Sequence, residues 1–540
     1  MHSASKNRNN PECAGACGQP PGGARTGLKW LCAVTGLAAL VWFLLRVIPK
    51  PSRAAYPCQR AAAPLASGFV IWIAGLISAK ALYRRARALS HRCRFAVAAA
   101  ALALAVFAVW LPLGLTSEAI AQAPGASQQT FTPTEPPNQP MGLGQGIHPG
   151  RVVWVHEPDA TSWDGKTGNW WDDANTDQRL VELMVSGALR SLTGGETDKQ
   201  AWDALFRHFN QTRKLGNTGY RPGEKVAIKI NSNQDRSPQW ATGRGMPSPH
   251  VVQTVLAQLI NVVGVRGEDI TIYDASRFIG DPLYDKVRSN PDPNFQAVKF
   301  VVSPGLAKNG RLPAAPDKAN PIHFAQSGVP EAFLPQCVTE AKYLINLALL
   351  RAHTLFGVTL TAKNHFGSTY FPNNGAWTPA PLHESGSRNR PMGSYNCLVD
   401  LIGHRHLGGK TLLYMLDGLY PAEHQQGNAI RFVSFGDDWA SSLFMSQDPV
   451  AIDSVGVDFL RNEPRATQVR GNPDNYLHEA ALAGKPPSGT VYDPEQDRQP
   501  LTSLGVHEHW NNATEKKYAR NLGKAEGIEL LALKTPSKGK

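Results

Sequence analysis

The sequence predicts an α/β fold with a mixed, largely parallel sheet covered by helices, preceded by three transmembrane helices. Two observations lead to this prediction. After residue 150, apolar runs typical of buried strands alternate with amphipathic segments of helical period, which favours a sheet covered by helices. Before residue 118, three apolar runs approach the length of ~20 residues that crosses a bilayer as a helix.

The three apolar runs predict membrane helices at about residues 28–48, 64–82 and 95–115. The loop between the second and third runs, YRRARALSHRCR, is strongly basic, and basic loops stay in the cytoplasm. The N-terminus is then also cytoplasmic, and everything after the third run lies outside the cytoplasm. The first external loop runs against this rule, since it also carries basic residues. The sequence therefore predicts a multi-pass protein of the inner or plasma membrane, with the lipid bilayer as a partner.

The predicted membrane region covers residues 1–117 and the α/β domain covers residues 151–540, with a core at 151–460 and a C-terminal extension at 461–540. Residues 118–150 are rich in Pro, Gln and Thr, a composition typical of a flexible linker. Within them, AIAQA offers small residues at spacings that a signal peptidase accepts. Cleavage after the third span is therefore an open alternative to a simple linker.

The formal net charge of +12 is unevenly distributed. Residues 1–117 hold 14 Lys and Arg against one acidic residue, whereas the remainder holds 41 basic and 42 acidic residues. The near-neutral domain argues against a nucleic-acid partner, which requires a local excess of Lys and Arg. Five of the seven cysteines lie in the membrane region, and Cys337 and Cys397 in the domain form no CxxC pair. An iron–sulfur cluster is therefore not expected, while one disulfide between these two cysteines stays open.

Each element of the domain follows from its local pattern. The predicted strands are RVVWVH (151–156), KVAIKIN (225–231), ITIYDAS (270–276), AVKFVVS (297–303), AKYLINLAL (341–349), TLLYMLDGLY (411–420) and SLFMSQD (442–448). The predicted helices include DQRLVELMVSGALRSL (177–192) and SPHVVQTVLAQLINVVG (248–264). Long polar inserts at 157–176, 277–296 and 368–395 interrupt the pattern and are equally consistent with binding elements and with surface coverage.

Lys229 and Asn231 stand at the end of the predicted strand 225–231. Ligands of open α/β sheets favour the crevice beyond the carboxyl ends of strands. The predicted helix that begins after Ser248 would present its N-terminus nearby, which together with Lys229 suits an anion. We therefore predict that Lys229 and Asn231 bind a substrate. A lysine that merely reaches solvent from a strand face is an equal alternative.

The run INLALLRAHTLFGVTLTAKNHFG (345–367) places six polar side chains among apolar residues: Asn346, Arg351, His353, Lys363, Asn364 and His365. A buried polar group is costly unless it is paired, so the run indicates either a functional site or a dense structural network. We predict that Lys363 and Asn364 bind substrate, and that His353 and His365 are catalytic, as a base or as metal ligands.

Two aspartates complete the predicted site. Asp417 stands before Gly418 at a predicted strand end, a position suited to metal binding and equally to a turn. Asp448 precedes Pro449, the pattern of a helix N-cap, which leaves a ligand role open. We predict Asp417 as the third catalytic residue. His365, Asp417 and Asp448 are the candidate ligands of a divalent metal.

The C-terminal extension adds His507 and His509, two residues apart in LGVHEHWNNATEKKYARNL. They are consistent with the start of a surface helix. The alternative is a further histidine cluster that folds over the pocket.

Several segments in this order resemble the domain-of-unknown-function 362 (DUF362) family: VAIKIN with SPHVVQTVLAQL, ITIYDAS, the run 345–367, MLDGLY and SQDPVAIDSVGVDFL. The resemblance covers roughly Arg151 to Leu460 and implies an α/β domain whose activity is not established. Some relatives carry cysteine-rich iron–sulfur segments. This chain lacks those cysteines, which puts an electron-transfer role in doubt.

Two function classes remain open at this point. The first is a membrane-anchored extracytoplasmic enzyme that acts on an anionic small molecule through Lys, His and Asp side chains, with or without a metal. The second is a noncatalytic, membrane-tethered protein that binds a ligand or serves envelope assembly. The sequence contains no Gly-x-Ser-x-Gly elbow, so serine-hydrolase chemistry has no support.

Overall fold

The computed structural model divides the chain into two compact units, Met1–Ser127 and Gln128–Lys540. The residues that it describes are 38, 40–42, 44–45, 135–326, 328–385, 390–466, 469 and 472–534. Apart from the few described positions of the first run, the three predicted membrane spans lie outside these residues. Among the residues described, none of the helices combines the length and the apolar character that crossing a bilayer requires.

Sixteen strands lie in the described part of the chain: β1 (Met141–Gly142), β2 (Arg151–His156), β3 (Val226–Ile230), β4 (Ile270–Asp274), β5 (Lys299–Val302), β6 (Leu312–Pro313), β7 (Pro316–Ile322), β8 (Ala332–Pro335), β9 (Tyr343–His353), β10 (Gly357–Thr359), β11 (Tyr370–Phe371), β12 (Ala376–Trp377), β13 (Thr411–Ala422), β14 (Ser442–Ser446), β15 (Val506–His507) and β16 (Glu529–Lys534). The seven predicted strands correspond to β2, β3, β4, β5, β9, β13 and β14.

The α-helices of the described residues are α1 (Gln178–Thr193), α2 (Asp198–Thr212), α3 (Pro249–Ala257), α4 (Asp281–Arg288), α5 (Pro293–Ala297), α6 (Gln336–Thr339), α7 (Thr361–Asn364), α8 (Ala380–Ser385), α9 (Cys397–Gly403), α10 (Pro449–Arg461) and α11 (Pro473–Ala481). Helix α3 continues as a π-helical segment over Gln258–Val263. Short 3-10 helices lie at Pro158–Ala160, Gly267–Asp269, Pro304–Leu306, His365–Ser368, Pro372–Asn374, Gly408–Lys410, Val433–Phe435 and Arg520–Leu522.

The central sheet has the strand order β16-β2-β14-β13-β9-β3-β4-β5-β6, and β10 pairs antiparallel with β9. Every neighbouring pair from β13 to β6 is parallel. Strand β14 is antiparallel to both β13 and β2, and β16 is parallel to β2. The predicted mixed, largely parallel α/β sheet is therefore confirmed.

Helices cover both faces of this sheet, so its strands are buried on both sides. Successive residues of β2 show the alternation, because Val152 packs into one core and Val153 into the other. The first core also contains Val455 of α10 and Leu477 of α11. The second contains Val181 of α1, with apolar residues of α2, α3 and α4. Burial on both faces explains why the strands read as continuous apolar runs.

The folded unit begins before Arg151. Residues 135–150, predicted as part of a flexible linker, lie against the domain: β1 pairs antiparallel with β15, and the backbone N–H of Asn138 donates to the His509 carbonyl at 2.9 Å. The Gln145 N–H donates to the Asp448 carboxylate at 2.9 Å. Composition could not reveal this, because the segment is held by pairing with the far end of the chain.

Candidate functional site

A pocket of about 50 Å³ lies at the carboxyl ends of the parallel strands. One water needs only ~10–15 Å³ measured in this way, so the pocket holds several waters or a small solute group. Its polar lining includes Asn231 after β3, Asp274 at the end of β4, His353 at the end of β9, Lys363 and Asn364 in α7, and His383 in α8. The strand ends meet here because parallel strands deliver their carboxyl ends to one edge of the sheet.

Lys229 lies fully buried in β3, next to the pocket. Its Nζ is 3.1 Å from Asp274 Oδ2 and donates to the carbonyl of Ile230 at 2.6 Å and to Asn364 Oδ1 at 3.2 Å. An ammonium has three N–H donors, and all three therefore have acceptors. Burial lowers the pKa of Lys229, and the charge of Asp274 opposes that shift. The structure thus places the predicted substrate-binding lysine in an internal ion pair.

Gly367 covers this ion pair where it meets the pocket. A Cβ atom at Gly367 would lie 2.5 Å from Asp274 Oδ1 and 2.8 Å from Lys229 Nζ. The Gly367 carbonyl accepts the Ala275 N–H at 3.0 Å, which fixes its backbone to the residue after β4. A side chain at this position would therefore displace the buried charges.

Asn364, Asn346 and His365 form a buried network behind the pocket. The Asn364 amide donates to Asn346 Oδ1 at 2.8 Å, and the Asn346 amide donates to the Thr361 carbonyl at 2.9 Å. Asn346 Nδ2 also lies 3.1 Å from His365 Nε2, which therefore accepts. Burial lowers the pKa of His365 to about 3, so its ring is neutral. His365 supports the network and does not line the pocket.

Lys363 reaches the pocket between two aromatic rings. Its Nζ lies 4.0 Å from the ring centre of Phe366 and 4.5 Å from that of Phe356. The same atom lies 3.2 Å from His383 Nε2. His383 Nδ1 is 2.9 Å from the Pro379 carbonyl, which can only accept, so Nε2 accepts from Lys363. Burial, reinforced by the nearby arginines, lowers the pKa of Lys363 well below its usual range.

Two arginines lie near Lys363. Arg277 donates to the Asn233 carbonyl at 2.8 Å and to Asn233 Oδ1 at 3.0 Å, which holds its guanidinium against the pocket wall. Arg351 is fully buried in β9 and donates to Asn231 Oδ1 at 2.5 Å and to the Gly245 carbonyl at 3.1 Å. Its Nε has no hydrogen-bond partner among the described residues, and burial lowers its pKa to about 9.

His353 and Thr359 complete the polar wall. His353 Nδ1 accepts the Leu355 N–H at 3.1 Å, and its ring stacks on His383 with a centroid distance of 5.9 Å. Burial and then the charge of Lys363 lower the pKa of His353 well below its usual range. The Thr359 hydroxyl is buried and, within the described ranges, has no hydrogen-bond partner. An unpartnered hydroxyl on a pocket wall is a potential donor to a ligand.

The charges around the pocket do not balance. Asp274 is the one carboxylate in its lining, and it is already paired with Lys229. Among the described residues, no carboxylate lies within ion-pair distance of Lys363, Arg277 or Arg351. The wall therefore presents a guanidinium and an amine that have no ion-pair carboxylate of their own, which suits the binding of an anion.

Asp417 lies inside a strand, since β13 continues past Gly418 to Ala422. Its Oδ2 accepts the Ser248 N–H at 2.8 Å and its Oδ1 accepts the Leu419 N–H at 3.2 Å. Burial raises the pKa of Asp417 to about 6. The predicted strand end at Gly418 is wrong, because β13 runs on to Ala422, which pairs with Arg351 of β9. Asp417 links β13 to the start of α3 and does not line the pocket.

Asp448 is the N-cap of α10. Its carboxylate accepts the backbone N–H groups of Val450 and Ala451 at 3.0 and 2.8 Å, and also those of Gln145 and Val506. Burial raises the pKa of Asp448 to about 7. Two groups of three potential metal ligands occur within the described ranges, and neither contains His365, Asp417 or Asp448. The predicted metal ligands are therefore not brought together.

The remaining predicted features lie elsewhere. His507 and His509 do not line the pocket and instead approach Glu135, Asp474 and His478. Cys337 and Cys397 are not bonded to each other, so the disulfide that the sequence left open does not form.

Sequence reasoning missed Arg277, His383 and the pocket role of Thr359. Arg277 begins the polar insert 277–296, only three positions after Asp274, and this proximity to a strand end was the one available signal. His383 lies in the insert 368–395, which has no helical or strand period, so nothing in the sequence connects it with Lys363.

Residues 226–458 match the family model described as Domain of unknown function (DUF362). The match supports the resemblance that the ordered segments indicate, and it includes β3, β9, α7 and most of α10. The family description assigns no activity. No curated protein matches the chain.

Proposed function

We propose that the DUF362-like region binds a small anionic molecule, bearing a carboxylate or phosphate group, in the pocket walled by Lys363 and Arg277. One observation supports this above all: among the described residues, neither Lys363 nor Arg277 has a carboxylate within ion-pair distance. The Arg277 guanidinium stays charged, and an anion beside Lys363 would favour its charged form, so an anion that supplies oxygen acceptors would be stabilised there. Asn231 and Asn364 would act indirectly, by positioning Arg351 and Lys229.

The protonation of Lys363 would depend on the ligand. Burial lowers the pKa of Lys363 well below its usual range, which favours a neutral amine in the free protein. A bound anion beside Nζ would raise that pKa, because an opposite charge nearby favours the charged form. Binding would then take up a proton at Lys363.

The leading form of the proposal is an enzyme. A neutral Lys363 amine can accept a proton from a bound substrate, and His383 Nε2 lies 3.2 Å from it as the next group in line. His353 stacks on His383 and would hold the His383 ring in place beside Lys363. A noncatalytic binding protein would use the same residues, so only turnover separates the two functions.

Calorimetric titration of the full-length protein with inorganic phosphate and with malonate tests the proposal. We expect Lys363→Gln to weaken binding by roughly 10–150-fold. This range corresponds to the loss of one hydrogen bond to a charged group, which contributes ~1.5–3 kcal/mol. Repeating the titration in buffers of different ionisation enthalpy should reveal proton uptake by the wild type. Lys318→Gln, at an exposed lysine remote from the pocket lining, is the matched control and should bind like the wild type.

Equal affinity in Lys363→Gln, Arg277→Gln and the wild type would overturn the proposal, as would no binding of either anion at millimolar concentration. Turnover of the bound anion or of a larger ester of it would favour the enzyme. Saturable binding with no chemical change in the ligand would favour the noncatalytic protein.

We also propose that the three apolar runs anchor the chain in the inner or plasma membrane, with the α/β domain outside the cytoplasm. The basic loop between the second and third runs supports this orientation. A topology reporter fused after Ser127, where the first unit ends, should be active outside the cytoplasm. Activity confined to the cytoplasm would contradict the orientation.

A further inference from the structure

His507 and His509 meet residues of helix α11, which also belongs to the C-terminal extension, and Glu135 from the segment before β1. His507 and His509 are two positions apart in extended chain, so their side chains point to the same side. Asp474 and His478 are four positions apart on α11 and share one helix face. Glu135, which precedes β1, completes the group. None of the five lines the anion pocket.

Their potential ligand atoms fall into two triads that share His507: Glu135, His478 and His507, and Asp474, His507 and His509, with the atoms of each triad within 4.8 Å of one another. Glu135 Oε1 accepts a hydrogen bond from His478 Nε2 at 2.7 Å and lies 3.5 Å from His509 Nε2 and 3.7 Å from His507 Nε2. Asp474 Oδ1 lies 3.4 Å from His509 Nε2. Ligands held at ~2.1 Å from a metal ion are spaced roughly 3.0–3.4 Å apart in octahedral or tetrahedral arrangements. The spacing in the group is close to that of a coordination sphere.

His507 is oriented with its lone pair toward this group. The Ser454 hydroxyl donates to the Val450 carbonyl at 2.7 Å, so it has no second proton to give. His507 Nδ1, 2.8 Å from Ser454 Oγ, must then be the donor, which leaves Nε2 unprotonated on a neutral ring. That Nε2 is buried and has no hydrogen-bond partner in the part of the chain that the structure describes.

His509 has the same arrangement with a carboxylate behind it. Its Nδ1 donates to Asp458 Oδ1 at 2.6 Å, and Asp458 is fixed in turn by the Tyr518 hydroxyl at 2.9 Å. The Nε2 of His509 is buried and likewise lacks a hydrogen-bond partner among the described residues. A carboxylate behind an imidazole whose other nitrogen is free is the usual support of a metal-binding histidine.

The charges of the group favour a dication. Glu135, Asp458 and Asp474 supply three carboxylates, while Arg461 pairs with Asp474 through Nη1 at 3.1 Å and Nη2 at 2.5 Å. These four groups carry a formal charge of minus two, with side chains at most 15% exposed. A buried charge of this size is costly unless it is compensated.

Protonated histidines are the alternative source of positive charge. The ring centroids of His478 and His507 are 5.0 Å apart and those of His507 and His509 are 4.9 Å apart. Although burial lowers it, the carboxylates of Asp458, Asp474 and Glu135 raise the pKa of His509 to about 12, so in the metal-free protein this ring carries one proton that a metal ion would displace. Charges on adjacent rings at this distance repel each other, so a second protonated ring would be opposed. One divalent ion between the rings avoids that repulsion.

We propose that His478, His507, His509, Asp474 and Glu135 bind one divalent transition-metal ion, such as Zn²⁺. Imidazole nitrogens and carboxylate oxygens are ligands that such ions favour. The ion joins the segment before β1, helix α11 and the segment of His507 and His509, and so stabilises the packing of these three parts of the domain. This site is independent of the anion pocket and of the function proposed for it.

Metal analysis and thermal unfolding of the full-length protein test the proposal. The purified protein is stripped with chelator and titrated with Zn²⁺, Co²⁺ or Mn²⁺ while its Tm is followed. We expect about one bound ion per chain and a rise in Tm on adding metal, since a ligand of the folded state alone stabilises it. His509→Gln should bind at least tenfold more weakly, while His208→Gln, a histidine of α2 outside the group, should bind like the wild type.

Ser454 provides a test that a purely structural role would not pass. Ser454→Ala removes the acceptor for His507 Nδ1 and should weaken metal binding by ~10–100-fold, whereas Ser454→Thr should restore it. Lys363→Gln should leave metal binding unchanged, which separates this site from the anion pocket. If His509→Gln does not fold, the wild-type titration decides. A wild type that takes up none of these ions and shows the same Tm with and without them would refute the site.

Discussion

Replacement of Asp274 by Asn removes the counter-charge of Lys229 and leaves the shape of the side chain nearly unchanged. The side chains of Lys229 and Asp274 are 1% and 5% exposed, so water cannot compensate for the loss. Lys229 Nζ would keep the Ile230 carbonyl and Asn364 Oδ1 as neutral acceptors. Asn retains one acceptor oxygen for the backbone N–H groups that Asp274 now receives, including that of Ser232.

Removal of one partner of a buried ion pair costs ~3–5 kcal/mol. The two neutral acceptors that remain at Lys229 place our expectation at the lower end, a loss of ~3 kcal/mol in the free energy of unfolding. Urea unfolding of the full-length protein in detergent, followed by tryptophan fluorescence, measures this loss. A double variant, Lys229→Met with Asp274→Asn, removes both charges and should be more stable than Asp274→Asn alone.

The pH dependence gives a second, independent readout. Burial lowers the pKa of Lys229 in the wild type, and Asp274 opposes that shift, so the variant should show a larger depression. A folded pKa below the unfolded value of ~10.4 means that the unfolded chain binds more protons, so stability rises with pH up to that value. The deficit of Asp274→Asn should therefore shrink between pH 7 and pH 10. A loss below ~1 kcal/mol that stays constant with pH would refute the buried ion pair as the support of Lys229.

Three further changes follow from the same geometry. Thr359→Val removes a buried hydroxyl that has no partner among the described residues. We expect a gain of ~1 kcal/mol in the free energy of unfolding together with weaker phosphate binding. Unchanged phosphate affinity would exclude a contact between Thr359 and the ligand. Gly367→Ala introduces a Cβ at 2.5 Å from Asp274 Oδ1 and 2.8 Å from Lys229 Nζ. We expect a loss of ~1–3 kcal/mol in the free energy of unfolding, measured in urea. Wild-type stability would mean that the ion pair can move aside. Asp448→Ala removes the N-cap of α10 and should lower the free energy of unfolding by ~1–2 kcal/mol, and with it the Tm, without changing the metal content. If the variant loses one bound metal ion per chain, Asp448 is a metal ligand after all.

The sheet was predictable because its strands are buried on both faces. A strand such as β3 then reads as an uninterrupted apolar run, and Lys229 stands out within it. The start of α10 was predictable for a different reason, since Asp448 followed by Pro449 is a local capping pattern. Where local chemistry determines the structure, the sequence is enough.

The candidate site was only partly predictable, because its contacts join distant positions. Lys229 is 45 residues from Asp274, and no local pattern connects them. Lys363 was identifiable as an unusual buried lysine, but its partner His383 comes from an insert without periodicity. Glu135 was assigned to a linker by composition, although strand pairing brings its segment to the C-terminal extension.

The pairing of β1 with β15, and of β2 with β16, has a consequence for biosynthesis. Both pairs join residues near the start of the described domain to residues near its end, so the contacts are separated by hundreds of positions in the sequence. Contacts of such long sequence separation form slowly, because the intervening chain must be ordered first. During synthesis the strand β2 keeps one edge unpaired until Glu529–Lys534 emerges, and an unpaired edge is a template for aggregation. The nascent chain would therefore depend on protection of that edge until residues 529–534 have been synthesised.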